Sequence, residues 1–400
     1  MKKSFLWLWD NPCQAIYTMM ALLIFAGGIN VYSASYITAR DMFGNPMHFL
    51  LRYFIFALIG LFGMWLVRRI GYKILLNKSW TLISCVIIVG MLFLVDVIGV
   101  ATKGASRWLY LGPISIQPSE FAKLSVIMLC ARTLGTMMRK GKRVSLFHKG
   151  DDLIPIGMTI LYALLVYKQP DLGTAAIICG LMLGMYIIAG IPLGEVFVVG
   201  CGAVAGAVGL AIAAPYRLER LKVWADPWLD EAGTGYQMVQ SLLAIGSGGL
   251  TGTHWGHGAS KFFYLPEAHT DFAFAVFCQE NGLLGATYVM VLFAIMGCAF
   301  CKIATRTRDH QGFLLASGVT FLIIGQAVAN MAMVCGILPV IGVPLVFISY
   351  GGSSMVLSMA AIGLLLSVYD REVQQAELEA VPPEERRDDL RVVRNGRWSQ

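Results

Sequence analysis

Apolar stretches of about twenty residues recur along this chain and constrain its fold more than any other feature. An α-helix rises about 1.5 Å per residue, so roughly twenty apolar residues cross the ~30 Å hydrocarbon core of a bilayer. The composition agrees, because 57% of the residues are hydrophobic and only 14% are charged, against about 25% charged in soluble proteins. The sequence therefore predicts an all-α polytopic membrane protein with ten transmembrane helices. These predicted spans are residues 15–34, 49–67, 80–98, 119–137, 153–167, 173–190, 195–214, 280–301, 313–333 and 353–369.

The distribution of Lys and Arg predicts how the chain is threaded through the membrane. With the N-terminus in the cytoplasm, 20 of the 31 Lys and Arg residues fall on cytoplasmic segments and nine fall on the external side. Cytoplasmic loops of membrane proteins carry this kind of positive excess. Both termini are therefore predicted to be cytoplasmic, in a multi-pass protein of the cytoplasmic (inner) membrane. The net charge of +7 follows from these loops and gives no indication of nucleic-acid binding.

The chain divides into three parts by composition. Residues 1–14 form a short N-terminal segment that we expect to be cytoplasmic or interfacial, and 15–369 form the membrane domain. Within that domain, 215–270 are expected to be a large extracellular loop between helices 7 and 8. Residues 370–400 are polar and mixed in charge, which is typical of a flexible tail without catalytic apparatus. Six of the nine cysteines lie within or beside apolar stretches and show no metal-ligand spacing, so we interpret them as small membrane-buried hydrophobic residues rather than as disulfide or zinc partners,. They are Cys85, Cys130, Cys179, Cys201, Cys298 and Cys301.

The predicted external loops concentrate residues that form sites. Residues 99–118, 168–174, 215–270 and 334–352 are rich in Gly, Pro, Ser and charges, whereas the predicted cytoplasmic loops are short and basic. Because binding residues are often carried on loops held by a rigid scaffold, this asymmetry indicates a site on the external side.

Two charged positions near this side allow two interpretations each. Glu120 and Lys123 are three residues apart, on one face of a helix, and a charge inside the bilayer costs roughly 2.5–3.5 kcal/mol. They form a local ion pair, or line a cavity that holds a charged substrate group, and the two interpretations are compatible. Asp171 stands where a span begins, so it either caps that helix or belongs to the site.

The loop at 215–270 offers the remaining alternatives. Arg217, Arg220 and Lys222 have spacing suited to an amphipathic helix that rests on lipid or binds a ligand,. Asp271 follows, where the chain re-enters apolar sequence. It either caps the next helix or is a partly desolvated carboxylate whose raised pKa makes it a better base.

Six strings in register resemble the SEDS family (shape, elongation, division and sporulation), whose members include FtsW, RodA and SpoVE. The resemblance runs from about residue 15 to 370 and is closest to the FtsW and SpoVE branch. The strings are GASRW at 104–108, IQPSEFAKL at 116–124, KQPDLGTA at 168–175, YQMVQSLLAIGSGGL at 236–250, YLPEAHTDF at 264–272 and PVIGVPLVFISYGGSS at 339–354.

The resemblance implies a peptidoglycan glycosyltransferase that polymerises lipid II on the outer face of the cytoplasmic membrane. Lipid II is a disaccharide-pentapeptide on undecaprenyl pyrophosphate, and the expected partner is a class B penicillin-binding protein within a division or elongation complex (divisome or elongasome). The essential carboxylate of the family corresponds to Asp271. No cofactor is expected with certainty, and the role of a divalent cation is left open. The expected substrate-binding residues are Glu120, Lys123, Arg107, Asp171, Lys261, His269, Gln237 and Ser353.

With that substrate, the chemistry has a defined outline. The donor sugar is α-linked and the product is β-linked, so one in-line displacement inverts the centre. Asp271 would take the proton from the attacking 4-hydroxyl, which is worth about 10²–10⁴-fold. Lys123, Lys261 and Arg107 are candidates to stabilise the charge on the leaving pyrophosphate.

Two other functions fit the same sequence. A lipid II flippase or transporter would also need a polar cavity, but transporters often contain inverted repeats, and we find none here. A non-catalytic scaffold of the division machinery is the second alternative. The sequence does not distinguish division from elongation or sporulation.

Overall fold

The computed structural model describes residues 11–98, 100–102, 105–111, 114–147, 153–212, 222–256, 258 and 265–380. The chain is mostly helical, and its long helices pack side by side. Its helices are α1 (Pro12–Phe43), α2 (His48–Ile70), α3 (Tyr72–Leu75), α4 (Lys78–Ile98), α5 (Pro118–Arg139), α6 (Leu153–Lys168), α7 (Leu172–Ile188), α8 (Leu193–Ile212), α9 (Tyr236–Gly248), α10 (Ala273–Arg306), α11 (His310–Val334) and α12 (Gly352–Ala380).

Seven of the helices in the described ranges are long and apolar enough to cross a membrane, namely α1, α2, α4, α5, α10, α11 and α12. Three shorter apolar helices, Leu153–Lys168, Leu172–Ile188 and Leu193–Ala203, are below that length. Each of the ten predicted spans overlaps one of these helices. A multi-pass membrane protein is therefore supported, while the count of ten spans and the cytoplasmic location of both termini stay predictions.

A small sheet interrupts the all-α architecture that the sequence predicted. Strands β1 (Val100–Thr102), β2 (Ala105–Leu111) and β3 (Ile114–Ile116) form an antiparallel sheet in the order β1-β2-β3, between α4 and α5. Val100 pairs with Trp108, and Leu109 pairs with Ile116. Aromatic and β-branched residues favour strands, and pairing within the loop satisfies backbone groups that no helix uses. The sequence predicted an external loop at 99–118 and did not predict this sheet, although the chain is mostly helical as expected.

Helix α12 is the most buried of the long helices, and it organises the core. The apolar stretch of α12 that is long enough to cross a membrane is 78% buried within the protein. The corresponding stretches of α2 and α4 are each 28% buried, so these two helices turn most of their surface outward. Helices α2 and α12 approach closely because glycines lie between them. A side chain at Gly60 would meet Met359, and one at Gly363 would meet the backbone of Met64. Small residues permit this approach between membrane helices.

Helix α10 is broken near its start. Gly282 has φ 65° and ψ −165°, a conformation that only glycine adopts readily. The backbone amides that the break releases from the helix still have hydrogen-bond partners. Leu283 N–H donates to the Gly249 carbonyl at 2.9 Å, and Leu284 N–H donates to the Leu250 carbonyl at 3.1 Å. The loop after α9 is thereby anchored on α10.

The first residues of the predicted C-terminal tail belong to helix α12. Helix α12 continues through residues 370–380, and Asp370 receives two hydrogen bonds of 2.6 Å from the guanidinium of Arg68 on α2. The predicted tail is therefore helical and anchored over its first turns. Residues 1–10 and 381–400, which were predicted to form most of the terminal segments, lie outside the described residues.

Candidate functional site

Asp271 lies at one end of the bundle, against the loop at 335–351 that joins α11 to α12 (the α11–α12 loop). Asn330 on α11 donates its side-chain amide to the Asp271 carbonyl at 2.8 Å and to the Val343 carbonyl at 2.6 Å. A Cβ on Gly342 would lie 3.5 Å from Asp271 Oδ2, so the half-buried carboxylate faces this glycine. The N-cap of α10 is Phe272, without a side-chain cap, so the interpretation of Asp271 as a helix cap is wrong.

His269 brings two further elements to the same place. Its carbonyl accepts a hydrogen bond of 2.8 Å from the Tyr350 amide, and its ring lies 4.7 Å from Phe49 and 6.1 Å from Tyr350. Burial raises the pKa of Tyr350 above its ordinary value of 10.0, although a hydrogen bond with Arg52 acts in the opposite direction. Tyr350 therefore stays protonated at neutral pH and holds Arg52 near the site.

Glu120 and Lys123 form the local ion pair that their spacing indicated. Lys123 Nζ lies 2.7 Å from Glu120 Oε1 and donates to Gln326 Oε1 at 2.9 Å. Lys123 is 0% exposed and Glu120 is 4% exposed, so the two opposite charges compensate each other in the protein interior. Gln326 in turn donates to the Pro344 carbonyl at 3.1 Å. The ion-pair interpretation is confirmed, and direct contact of either residue with a substrate stays a prediction.

Glu120 keeps one oxygen available. Its Oε2 is buried and has no hydrogen-bond partner among the residues that the structure describes, and the same holds for Asn330 Oδ1. Buried polar atoms are usually hydrogen-bonded, so each such atom needs an explanation. Two acceptors without partners, one on α5 and one on the residue that binds the Asp271 carbonyl, are consistent with a site that takes up water or a polar ligand.

Asp171 and Arg107 form a second polar cluster at this end. Asp171 accepts from the Thr174 amide at 3.2 Å and from the Thr174 hydroxyl at 2.9 Å, so the predicted cap on α7 is confirmed. Arg107 NH1 lies 3.9 Å from Asp171 Oδ2, and the same guanidinium donates to the carbonyls of Gln169 and Pro170. With a side chain that is 33% exposed, Arg107 is the more accessible of the two.

The remaining predicted residues connect neighbouring segments. Ser353 accepts from the Gln117 amide and donates to the Ser115 carbonyl, both at 3.1 Å, which joins the start of α12 to the segment before α5. Gln237 Nε2 donates to the Pro266 carbonyl at 3.4 Å and holds α9 near the segment that precedes Asp271. Lys261 lies outside the described residues.

Three residues near Asp271 were not among the predicted site residues. Gln326 and Asn330 stand four residues apart in an otherwise apolar span, which was the available signal, because polar residues inside a membrane helix need partners. Arg52 contributed to the prediction only as one of the positive charges on the external side. All three connect the α11–α12 loop to the helices around it.

A metal centre finds no support in the described ranges. They contain no group of three or more His, Cys, Asp or Glu side chains arranged to hold an ion. We therefore assign no residues to the divalent cation that the sequence left open.

Comparison with known proteins gives a consistent result. A family model described as "Cell cycle protein" and named for FtsW, RodA and SpoVE matches residues 13–374. Stage V sporulation protein E of Bacillus subtilis (strain 168) is 36% identical over 361 residues, covering 90% of this chain and 97% of that protein. A "Probable peptidoglycan glycosyltransferase FtsW" of Trichlorobacter lovleyi is 38% identical over 352 residues, covering 88% of this chain and 91% of that protein.

Solved structures share the fold. One is a chain from a peptidoglycan synthase complex that structurally coordinates polymerization and crosslinking. It superposes with a TM-score of 0.73 at 26% identity and covers 90% of this chain and 98% of that one. The rod shape determining protein RodA of Thermus thermophilus superposes with a TM-score of 0.64 at 25% identity, covering 89% of this chain and 96% of its own.

Proposed function

This chain belongs to the FtsW, RodA and SpoVE family of cell cycle proteins, and from that membership we propose that it is a peptidoglycan glycosyltransferase. Its substrate is lipid II, which it polymerises into glycan strands at the outer face of the cytoplasmic membrane. The observation that carries the proposal is the similarity, over 88% of the chain, to a protein named as a probable peptidoglycan glycosyltransferase.

Asp271 is the general base in this proposal. It abstracts the proton of the acceptor 4-hydroxyl while that oxygen attacks the anomeric carbon of the donor. The bond from that carbon to the undecaprenyl pyrophosphate breaks, and the configuration inverts as this group leaves. The geometry is suitable, since the carboxylate is half-buried and its main chain is fixed by Asn330.

The growing negative charge on pyrophosphate needs cations. Arg107 is the candidate that the structure favours among the described residues, because it is partly exposed. Lys123 is completely buried and bound to Glu120 and Gln326, so its role in this conformation is to neutralise Glu120 and support Gln326. Lys261 stays a candidate from the resemblance alone.

We propose a class B penicillin-binding protein as the partner. A structurally similar chain comes from a peptidoglycan synthase complex in which polymerization and crosslinking are coordinated. The product of polymerisation is the substrate of crosslinking, so coupling the two enzymes in one complex avoids release of an uncrosslinked strand.

The test uses the purified full-length protein, with and without its partner, supplied with fluorescent lipid II. Asp271→Asn keeps the size of the side chain and removes the base, so glycan strands should fall at least 10²-fold. Asp41→Asn is a matched control, because Asp41 is exposed near the same end of the bundle, in the last turns of α1. Wild-type amounts of strand from folded Asp271→Asn protein would refute the role of Asp271.

Transport of lipid II is the second candidate, and the break in α10 favours it, because transporters contain discontinuous helices. Here, however, the released amides of Leu283 and Leu284 are bound by the loop after α9 rather than left free to line a passage. Vesicles that hold lipid II on the outer face only would separate the two functions, since only a polymerase makes strands without moving the lipid. A scaffold is the third candidate. It would assemble with its partners but make no glycan strand, either as the wild-type protein or as Asp271→Asn.

A further inference from the structure

A cavity of about 770 Å³ opens at the end of the bundle opposite Asp271. Helix α2 begins beside His269, through Phe49, and ends at Ile70. Its 23 residues correspond to a length of about 34 Å, which is close to the thickness of a bilayer core. The cavity lies between the turn that follows α2 and the last turns of α12, at the end predicted to face the cytoplasm.

The lining of this cavity is strongly basic. It contains four cationic side chains, Arg68, Arg69, Lys73 and Arg371, and one carboxylate, Asp370. Arg68 is neutralised by Asp370 at 2.6 Å.

Lys73 is also paired, with Asp309 at 2.7 Å. The nearby carboxylate of Glu372, on α12, accepts from the Arg308 amide at 3.2 Å. Asp370 and Asp309 are therefore paired with other cations, and Glu372 accepts a backbone amide on one oxygen.

Two cations remain. Within the part of the chain that the structure describes, Arg69 and Arg371 have only ring contacts, with Trp65 at 5.8 Å and with Tyr72 at 6.0 Å. Arginine guanidinium groups bind phosphate oxygens in a bidentate manner. Two such groups without carboxylate partners in one cavity form a suitable binding site for a phosphodiester.

The rim of the cavity is apolar and turned outward. Trp65, Ile70 and Ile74 line it with 52%, 36% and 53% of their surfaces exposed. Tryptophan is enriched at the depth of lipid headgroups, and such exposure suits side chains that contact acyl chains. A soluble anion would use the cations but not this rim, whereas a phospholipid would use both.

We propose that the cavity binds an anionic phospholipid of the cytoplasmic leaflet. The phosphodiester lies between Arg69 and Arg371, and the acyl chains follow Trp65 and Ile74 toward the bilayer. Basic pockets between membrane helices on this side are suited to anionic headgroups. The site is far from Asp271, so it is independent of the proposed glycosyltransferase activity.

The test is native mass spectrometry of the full-length protein in a mild detergent, titrated with palmitoyl-oleoyl phosphatidylglycerol or with the corresponding phosphatidylcholine. Phosphatidylglycerol should bind in preference to phosphatidylcholine, and Arg69→Gln with Arg371→Gln should weaken its binding about thirtyfold. The matched control is Arg139→Gln with Arg143→Gln, which removes two exposed charges near the end of α5 and should bind as wild type. Arg69→Lys with Arg371→Lys keeps the charge but loses the bidentate geometry, so its binding should fall between that of the wild type and that of the glutamine double variant.

Three results would overturn the proposal. One is equal retention of both lipids by the wild-type protein. Another is equal loss of phosphatidylglycerol from both glutamine double variants, which would indicate general charge attraction. The last is displacement of the lipid by inorganic phosphate at millimolar concentration, which would identify a site for soluble anions. The thermal unfolding of each variant in phosphatidylcholine alone verifies that it is folded.

Discussion

Asn330 holds the backbone carbonyls of Asp271 and Val343 with one side-chain amide, at 2.8 Å and 2.6 Å. The residue proposed as the base and the α11–α12 loop therefore share a single support. Its neighbour on the same face, Gln326, binds the Pro344 carbonyl and Lys123. These hydrogen bonds, joined through the Val343–Pro344 peptide, connect the buried ion pair on α5 to Asp271.

Replacing Asn330 by Ala is expected to reduce strand synthesis at least tenfold while the pH dependence of the remaining activity is unchanged. The base is still present, but its main chain and the facing loop lose their common donor. Each buried carbonyl left unpaired costs about 1–3 kcal/mol of stability. The measurements are polymerisation rate against pH and thermal unfolding.

Gln311→Ala is the control for this experiment, because it removes an amide from the opposite end of the same helix, where Gln311 donates to Thr136 at 3.0 Å. It should lower stability without lowering the rate of the folded enzyme. If Asn330→Ala polymerises as fast as Gln311→Ala, Asn330 does not position Asp271.

The residues of this site differ in how far their roles could be predicted from sequence. The Glu120 and Lys123 pair and the Asp171 cap follow from spacings of three residues, which a helix brings together regardless of the rest of the fold. The role of Asn330 depends on partners 59 and 13 residues away, and no local rule places them. The sheet at 100–116 was missed because its strands are short, and apolar runs outside the spans give little periodic signal.

The Glu120 and Lys123 pair can be tested by comparing single and double variants. Glu120→Gln and Lys123→Met each leave one buried charge without its partner, which should destabilise the protein by about 3–5 kcal/mol. The double variant removes both charges and should recover most of that stability. Thermal unfolding of the three variants measures the coupling directly.

Activity of the Glu120 and Lys123 double variant then tests whether the pair serves the reaction as well as the fold. A folded double variant without polymerase activity would indicate that the pair is required for the reaction, either by contact with the substrate or through its support of Gln326. Near wild-type turnover would identify the pair as purely structural. Single variants as stable as the wild type would contradict the buried ion pair itself.

The break in α10 depends on glycine. Gly282→Ala should destabilise the protein by about 1–3 kcal/mol, because the residue must hold a positive φ and because a Cβ there would meet the backbone of Gly252 and Leu250. Gly157→Ala, on α6, is the matched control, since a Cβ at that position meets nothing within 4 Å. Unfolding temperatures that fall equally in both variants would show that the break carries no strain.

Asp309 predicts how stability responds to acid at the end opposite the candidate active site. Burial raises its pKa, but hydrogen bonds from Lys73 and from the Gly312 amide outweigh this and hold the pKa below the ordinary value of 3.8. A carboxylate whose pKa is depressed in the folded state stabilises it above the unfolded pKa, and the contribution is lost as pH falls through the folded pKa. At pH 7, Asp309→Ala should therefore lower the free energy of unfolding by about 1 kcal/mol, because α11 loses its cap. The variant should unfold at a lower temperature than the wild type. The difference should shrink as the pH is lowered from roughly 5 to 3. A difference that stays constant over that range would show that the charge of Asp309 contributes nothing and that only the shape of its side chain matters.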